Sequence, residues 1–150
     1  MEVRALQSRK WRLCLLLSAV AILAGCQRGP ELASVTGKVL LDGRPLKFGG
    51  VMLQPAAGQP SLGRIQPDGT FAMSTNEIND GATVGPNKIR ITCYQGQDPA
   101  YGGGDAIEEK GLGKLLIDRR YANYSSSGLS TVVVSGTNEP LILNLTSEPN

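Results

Sequence analysis

Three thiols and no imidazole bound the chemistry open to this chain: its cysteines are Cys14, Cys26 and Cys93, and its 150 residues include no histidine. Nucleophilic arrangements of the Ser-His-Asp or Cys-His kind therefore cannot be assembled, and the commonest transition-metal ligand is missing. Zinc would have to take Cys93 with carboxylates, a poor donor set. Asp98, Asp105, Glu108 and Glu109 are oxygen donors close in sequence, but their spacing does not follow the twelve-residue calcium loop, so they read as solvated loop charge. Gly111-Leu112-Gly113-Lys114 stops short of a phosphate-binding loop, because Glu108 and Leu115 stand where glycine and a hydroxyl residue are needed. Paired carboxylates for glycoside hydrolysis would need a cleft-sized insertion that the sequence does not offer. The expectation is a chain without catalytic residues, metal, cofactor or small-molecule substrate.

Tyrosines are the remaining candidates for recognition. Tyr94, Tyr101 and Tyr124 lie in or beside loops, where aromatic faces stack on sugar rings or fill partner pockets. Tyr121 follows Arg119-Arg120 near a strand and reads as a structural corner residue, with a packed ring and a locally bonded hydroxyl. The one tryptophan, Trp11, lies in the N-terminal segment discussed next.

Cys26 is the most informative thiol. It follows a basic start (Arg4, Arg9, Lys10, Arg12), an apolar run from Leu13 to Ala24, and the small residues Ala24-Gly25. A basic n-region, a short apolar h-region and small residues before a cut site define a secretory signal. The thirteen residues from Leu13 to Gly25 fall short of the roughly 20 needed to cross a bilayer. Leu23-Ala24-Gly25-Cys26 resembles the lipobox of bacterial lipoproteins. That resemblance implies that Leu23, Ala24 and Gly25 form the signal-peptidase recognition segment, that the chain is cut before Cys26, and that the Cys26 thiol is lipidated. In such proteins an aspartate in the next position tends to retain the product in the inner membrane. Gln27 stands there and favours the outer membrane, in a cell that has one.

Removing residues 1–25 changes the charge balance. Lys plus Arg falls from 15 to 11 and Asp plus Glu from 13 to 12, leaving a net charge of about −1. The remaining cations are scattered, with only Arg119-Arg120 adjacent, so no basic patch invites nucleic acid. With Cys26 acylated, Cys93 is the one free thiol and no internal disulfide can form. Cys93 ends the alternating run Lys88-Ile89-Arg90-Ile91-Thr92-Cys93, which puts Ile89, Ile91 and Cys93 on one strand face, so Cys93 reads as a buried small hydrophobe.

The rest reads as short strands between turns. Val35 to Leu41 alternates, with Asp42-Gly43 suited to a tight turn. Val51 to Gln54 follows. Gly63 to Gln66 and Thr70 to Ser74 flank Pro67-Asp68-Gly69 as a hairpin, with Phe71 and Met73 inward. Asn87 to Tyr94, Thr131 to Ser135 and Leu141 to Leu145 complete about seven strands, the last two joined by Gly136-Thr137-Asn138-Glu139-Pro140. The pattern predicts an all-β fold, a single antiparallel sandwich. Residues 95–114, with Gly102-Gly103-Gly104 inside, form the longest irregular stretch and read as a flexible loop. Ala106 to Lys110 is the best candidate for a helical turn.

Val35-Thr36-Gly37-Lys38-Val39, Asp42-Gly43-Arg44-Pro45-Leu46, Gly50-Val51, Pro67-Asp68-Gly69-Thr70-Phe71, Asp80-Gly81-Ala82 and Lys88-Ile89-Arg90-Ile91 resemble, in order and spacing, small bacterial lipoproteins with a carboxypeptidase-regulatory-like, transthyretin-like domain. Ile117 to Tyr121, Ser127-Gly128-Leu129 and Thr131 to Val134 fit the end of that pattern. Asn87 departs from it, since many relatives carry an aromatic residue or histidine there. The resemblance implies a single seven-stranded antiparallel β-sandwich, transthyretin-like or immunoglobulin-like, in the cell envelope, and no reaction. The expected organisation is a cleaved signal at 1–25, a lipidated end and short tether at 26–33, and the domain at 34–148. The seven residues from 27 to 33 would reach about 25 Å, so the domain would stay beside its membrane. Its expected partners are that membrane through Cys26, and envelope proteins or, through Tyr94, Tyr101 and Tyr124, glycans.

Overall fold

The computed structural model describes residues 29–101 and 111–147. These form ten strands: β1 (Leu32–Ala33), β2 (Thr36–Leu41), β3 (Arg44–Pro45), β4 (Gly50–Pro55), β5 (Ser61–Arg64), β6 (Thr70–Ala72), β7 (Ala82–Thr83), β8 (Gly85–Thr92), β9 (Leu129–Val133) and β10 (Leu141–Leu145). The only helices among the described residues are single 3-10 turns of three or four residues. The fold is all-β. Seven of the strands have three or more residues and each overlaps an expected one, with β5, β8 and β9 starting two residues earlier than the pattern places them. β1, β3 and β7 are two-residue additions, too short to carry an alternating signature.

The strands make three sheets. β1 pairs with β7; β10, β2, β3 and β6 form a second sheet centred on β2; β5, β4, β8 and β9 form a third in that order. Alternation sets which residues go inside. Val51 and Leu53 of β4, Ile89 and Ile91 of β8, Val39 of β2, Phe71 of β6 and Leu143 and Leu145 of β10 are buried together in one cluster, with Cys93 just past β8. The inward phases expected for Val35 and Val39, for Phe71 and Met73, and for Ile89, Ile91 and Cys93 are those observed.

Turn chemistry shapes the connections. Asp42 and Gly43 both take positive φ (49° and 77°), the geometry that matches the twist of a two-residue hairpin. Leu41 accordingly pairs with Arg44. Gly69 has φ 84°, and the backbone bond from the Gln66 amide to the Thr70 carbonyl closes the Pro67-Asp68-Gly69 turn at 2.8 Å.

Three features differ from the expected layout. β5 and β6 flank the expected turn, but they belong to different sheets, β5 with β4 and β6 with β2, and touch through the single bridge Leu62 to Ser74. The sheets are not wholly antiparallel, because β10 runs parallel to β2 (Leu141 opposite Gly37, Leu145 opposite Leu41). The connection through 134–140 causes this. β9 runs antiparallel to β8, the chain then crosses to the other sheet, and β10 sets off in the direction of β2. Asn138 steadies the crossing: its side chain accepts from the Val134 amide and donates to the Val134 carbonyl, both at 2.9 Å. Finally, the folded body starts before residue 34. Leu32–Ala33 pair with Thr83 and Ala82, and the Glu31 carbonyl accepts from the Val84 amide at 2.9 Å. Ala33 is small and apolar enough to be buried in the common core, so residues 31–33 belong to the fold and not to a free tether.

The connection from Ser74 to Gly81 is rigid for a local reason. The Asp80 carboxylate accepts from the amides of Thr75 (2.6 Å), Asn76 (2.8 Å) and Glu77 (2.9 Å), and the Asn79 amide donates to Ser74 Oγ at 2.9 Å. The hydrogen bond from Thr75 N–H, with those from Glu77 and Asn76, holds the Asp80 carboxyl below its ordinary 3.8. A depressed folded pKa adds stability above the unfolded value and loses it as pH falls through the folded one. The stability of the wild-type protein should therefore decline below about pH 4 more steeply than that of Asp80→Asn. Urea titrations at pH 5 and pH 3 check this, and equal slopes would refute it.

Candidate functional site

Cys26, with Leu23, Ala24 and Gly25, lies outside the described residues, as does the expected helical turn at 106–110. The tyrosines lie where β8 and the loop after it meet the segment before β9. Tyr94 leaves β8 and bridges to Leu115. Its amide donates to Gln97 Oε1 at 2.7 Å, which starts the 3-10 turn Gln95–Gln97. A second such turn spans Pro99–Tyr101. The ends of the 95–114 stretch are pinned together: the Gln95 amide donates to the Lys114 carbonyl and the Gly96 amide to that of Leu112, both at 2.9 Å, and the Leu116 amide to that of Cys93 at 2.8 Å. The described ends of that stretch are thus hydrogen-bonded, whereas the sequence reads as one flexible loop. Local glycine content carries no sign of this ladder, because its partners are sixteen or more residues apart.

Tyr94 borders a surface groove of about 720 Å³ that also involves Arg90, Lys114 and Arg119, with no carboxylate among its described lining residues. Three cations beside one aromatic ring suit an anionic group better than a neutral one. Tyr124 is not part of that lining. The Arg90 guanidinium lies over its ring, 5.1 Å from the centroid, and donates toward Met52 Sδ from Nε (3.0 Å) and Nη2 (2.8 Å). The Tyr124 hydroxyl is buried and has no partner among the described residues. One face of this ring is therefore already occupied, and Tyr94 and Tyr124 do not form a shared platform.

Tyr121 has the structural role expected of it. Its ring is buried, and its hydroxyl accepts from Arg120 Nη2 (2.6 Å) and from the Thr146 amide (3.1 Å). Asp118 caps the 3-10 turn Arg119–Ala122 by accepting from the Arg120 amide at 2.9 Å. Ser127, in the Ser127-Gly128-Leu129 segment, is buried and donates to the Ile89 carbonyl at 2.5 Å. A hydroxyl at this position thus clips the turn before β9 onto β8.

Asn87 is also structural. It is 2% exposed, and its Nδ2 donates to the carbonyls of Thr83 (2.8 Å) and Gly85 (2.9 Å), bracing the bend between β7 and β8. Among the described residues no group of three His, Cys, Asp or Glu stands close enough to hold a metal ion. Asp98 accepts from the Ala100 amide at 2.9 Å, a turn contact.

Cys93 is buried, and burial, helped by the negative charge of Asp98, pushes its thiol from an ordinary 9.0 up to about 11. The thiolate is the reactive form, so at pH 8 about 100-fold less of it is present than for an unperturbed thiol. Cys93 should resist iodoacetamide at pH 8 in the folded protein and react once urea is added. Rapid labelling without denaturant would contradict the buried placement.

No family model, curated protein or solved structure matches the chain.

Proposed function

We propose that this chain is a lipid-anchored protein of the cell envelope whose folded part is a non-catalytic structural or protein-interaction module. The carrying observation is Leu23-Ala24-Gly25-Cys26 behind a basic start and a thirteen-residue apolar run, the arrangement of an exported, lipidated precursor. The finer fold reading belongs to the same proposal. Two four-stranded sheets with one common core and seven strands of three or more residues support a transthyretin-like β-sandwich, with β1, β3 and β7 as elaborations. The folded body starts at Glu31, five residues after Cys26, a reach of about 18 Å. The anchor holds the domain against the bilayer with little slack, on the outer membrane where Gln27 governs sorting.

Mass spectrometry of the native protein tests the reading. The expected amino end is Cys26 bearing acyl groups. An unmodified chain beginning at Met1 overturns it. A glycan-binding role through Tyr94, Tyr101 and Tyr124 is the alternative. Its support is confined to Tyr94 and the cationic groove beside it, which suits an acidic sugar, and a glycan array left blank by the mature protein removes it.

A further inference from the structure

The strand directions gather one end of the molecule around the start of the fold. β2 and β10 begin there, at Thr36 and Leu141, while β4 and β9 end there, at Pro55 and Val133. Pro30 lies beside the turn at Gly58, and Glu31 accepts a hydrogen bond from Ser135. The turn from Ser74 to Gly81 is at the same end, because Ala82 pairs with Ala33 and Gly81 packs against the Ala33 backbone.

This end also carries most of the exposed apolar surface. Of the seven large hydrophobic residues exposed among the described residues, Leu62, Ile78, Val132, Val134 and Ile142 lie in the half of the molecule next to the tether, and only Leu112 and Leu116 lie elsewhere. Ile78 is 90% exposed, at the tip of a turn fixed by three hydrogen bonds to Asp80 and one to Ser74. Asn79 beside it is held at φ 61°. Ile78 and Ile142 line one groove of about 870 Å³ along the outer face of the sheet centred on β2. A rigid turn that holds an isoleucine out in water gains nothing for the fold. Because the turn is already ordered, burying that side chain against an apolar partner would cost little further ordering.

We infer that the Ser74–Gly81 turn is a second, non-covalent membrane contact, in which Ile78, flanked by Ile142, inserts into the hydrocarbon edge of the bilayer that holds the anchor. This rests on the lipid-anchor reading above. The occupant follows from where the chain leaves the structure. The described chain begins beside the turn at Gly58, at the same end of the molecule as the Ser74–Gly81 turn, and the five residues from Cys26 would hold the bilayer within about 18 Å of Glu31. The charges around it are mixed, with Glu31, Glu77 and Glu139 exposed at this end and Lys38 and Arg64 lining the groove that Ile78 and Ile142 share, so no one-signed patch selects anionic headgroups. Insertion is apolar and suits a zwitterionic surface.

The full lipidated protein carrying Ile78→Cys, labelled with an environment-sensitive fluorophore and reconstituted in phosphatidylcholine vesicles, tests this. Arg44→Cys, at the hairpin on the opposite end, is the control. Cys93 is buried and leaves the labelling selective. The expected result is a blue-shifted emission at position 78, quenched by doxyl-labelled lipid, and an unshifted, unquenched probe at 44. Equal, water-like emission at both sites overturns the insertion while acylated Cys26 in the same sample leaves the anchor standing. A blue shift at 78 without lipid quenching means that protein covers the turn, and also overturns it. An unmodified Cys26 defeats the anchor reading itself.

Discussion

Replacing Cys26 by alanine should abolish acylation and leave the chain as uncleaved precursor, with its stable hold on the membrane lost. The thiol is the acceptor for lipid in the proposed maturation, and alanine offers no nucleophile in its place. The residual apolar run from Leu13 to Gly25 is thirteen residues long, whereas a spanning helix needs roughly 20, so the retained signal is a poor substitute. Each buried methylene contributes about 0.8 kcal/mol, and one acyl chain alone gives only marginal binding. Losing several chains therefore changes membrane partitioning by orders of magnitude. Palmitate labelling and flotation of the variant at high salt check the prediction. Cys93→Ala, which touches a buried thiol, should leave labelling unchanged. Undiminished flotation and labelling of Cys26→Ala would show that neither this thiol nor its lipid holds the chain.

What was legible in the residues was whatever has a local cause. Val35 to Val39, Val51 to Leu53 and Ile89 to Cys93 alternate with period two, and their inward members are buried as that period requires. Asp42-Gly43 and Pro67-Asp68-Gly69 turn the chain where their conformational preferences say they should. Sheet membership has no such local cause. Nothing within Thr70 to Ser74 says that β6 joins β2 and leaves β5 to β4, and the parallel pairing of β10 with β2 follows from a crossing whose two ends lie in different sheets. Two-residue strands such as β1 and β7 are fixed by each other and carry no pattern of their own.

The candidate tyrosines divide along the same line. Tyr121 could be read as a corner residue from its type and place beside a strand. The cover that Arg90 lays over Tyr124 depends on Met52 of another strand, 38 residues away from Arg90, and no spacing rule encodes it. Ile78 does not stand out in the sequence, because Asn76-Glu77 before it and Asn79-Asp80-Gly81 after it read as an ordinary polar turn. The available signal was the isoleucine itself, a large apolar side chain where turn chemistry asks for none.

Gly81→Ala should be the most damaging of the small substitutions near the tether, destabilising the protein by about 2 to 4 kcal/mol. Gly81 has φ 98°, a conformation that costs a non-glycine residue about 1 to 3 kcal/mol. A methyl group there would also overlap the Ala33 carbonyl oxygen and lie 2.5 Å from its carbon and 2.9 Å from the Ser34 amide nitrogen. These atoms are backbone and have no rotamer to yield. Either β1 lifts away from β7, giving up the bond from the Val84 amide to Glu31, or the Ser74–Asp80 turn reshapes and releases the bond from the Gly81 amide to Met73. Gly43→Ala separates the two causes, since Gly43 has φ 77° but open space around the missing methyl. That variant should lose only the conformational part, about 1 kcal/mol. Urea melts of the two variants give the comparison, and equal losses would mean that the close approach of Gly81 to Ala33 contributes nothing. In Gly81→Ala, hydrogen exchange should accelerate at Val84 and Thr75 while Ile91 in the core remains slow, because the seam joining the start of the fold to the Ile78 turn opens before the sheets do.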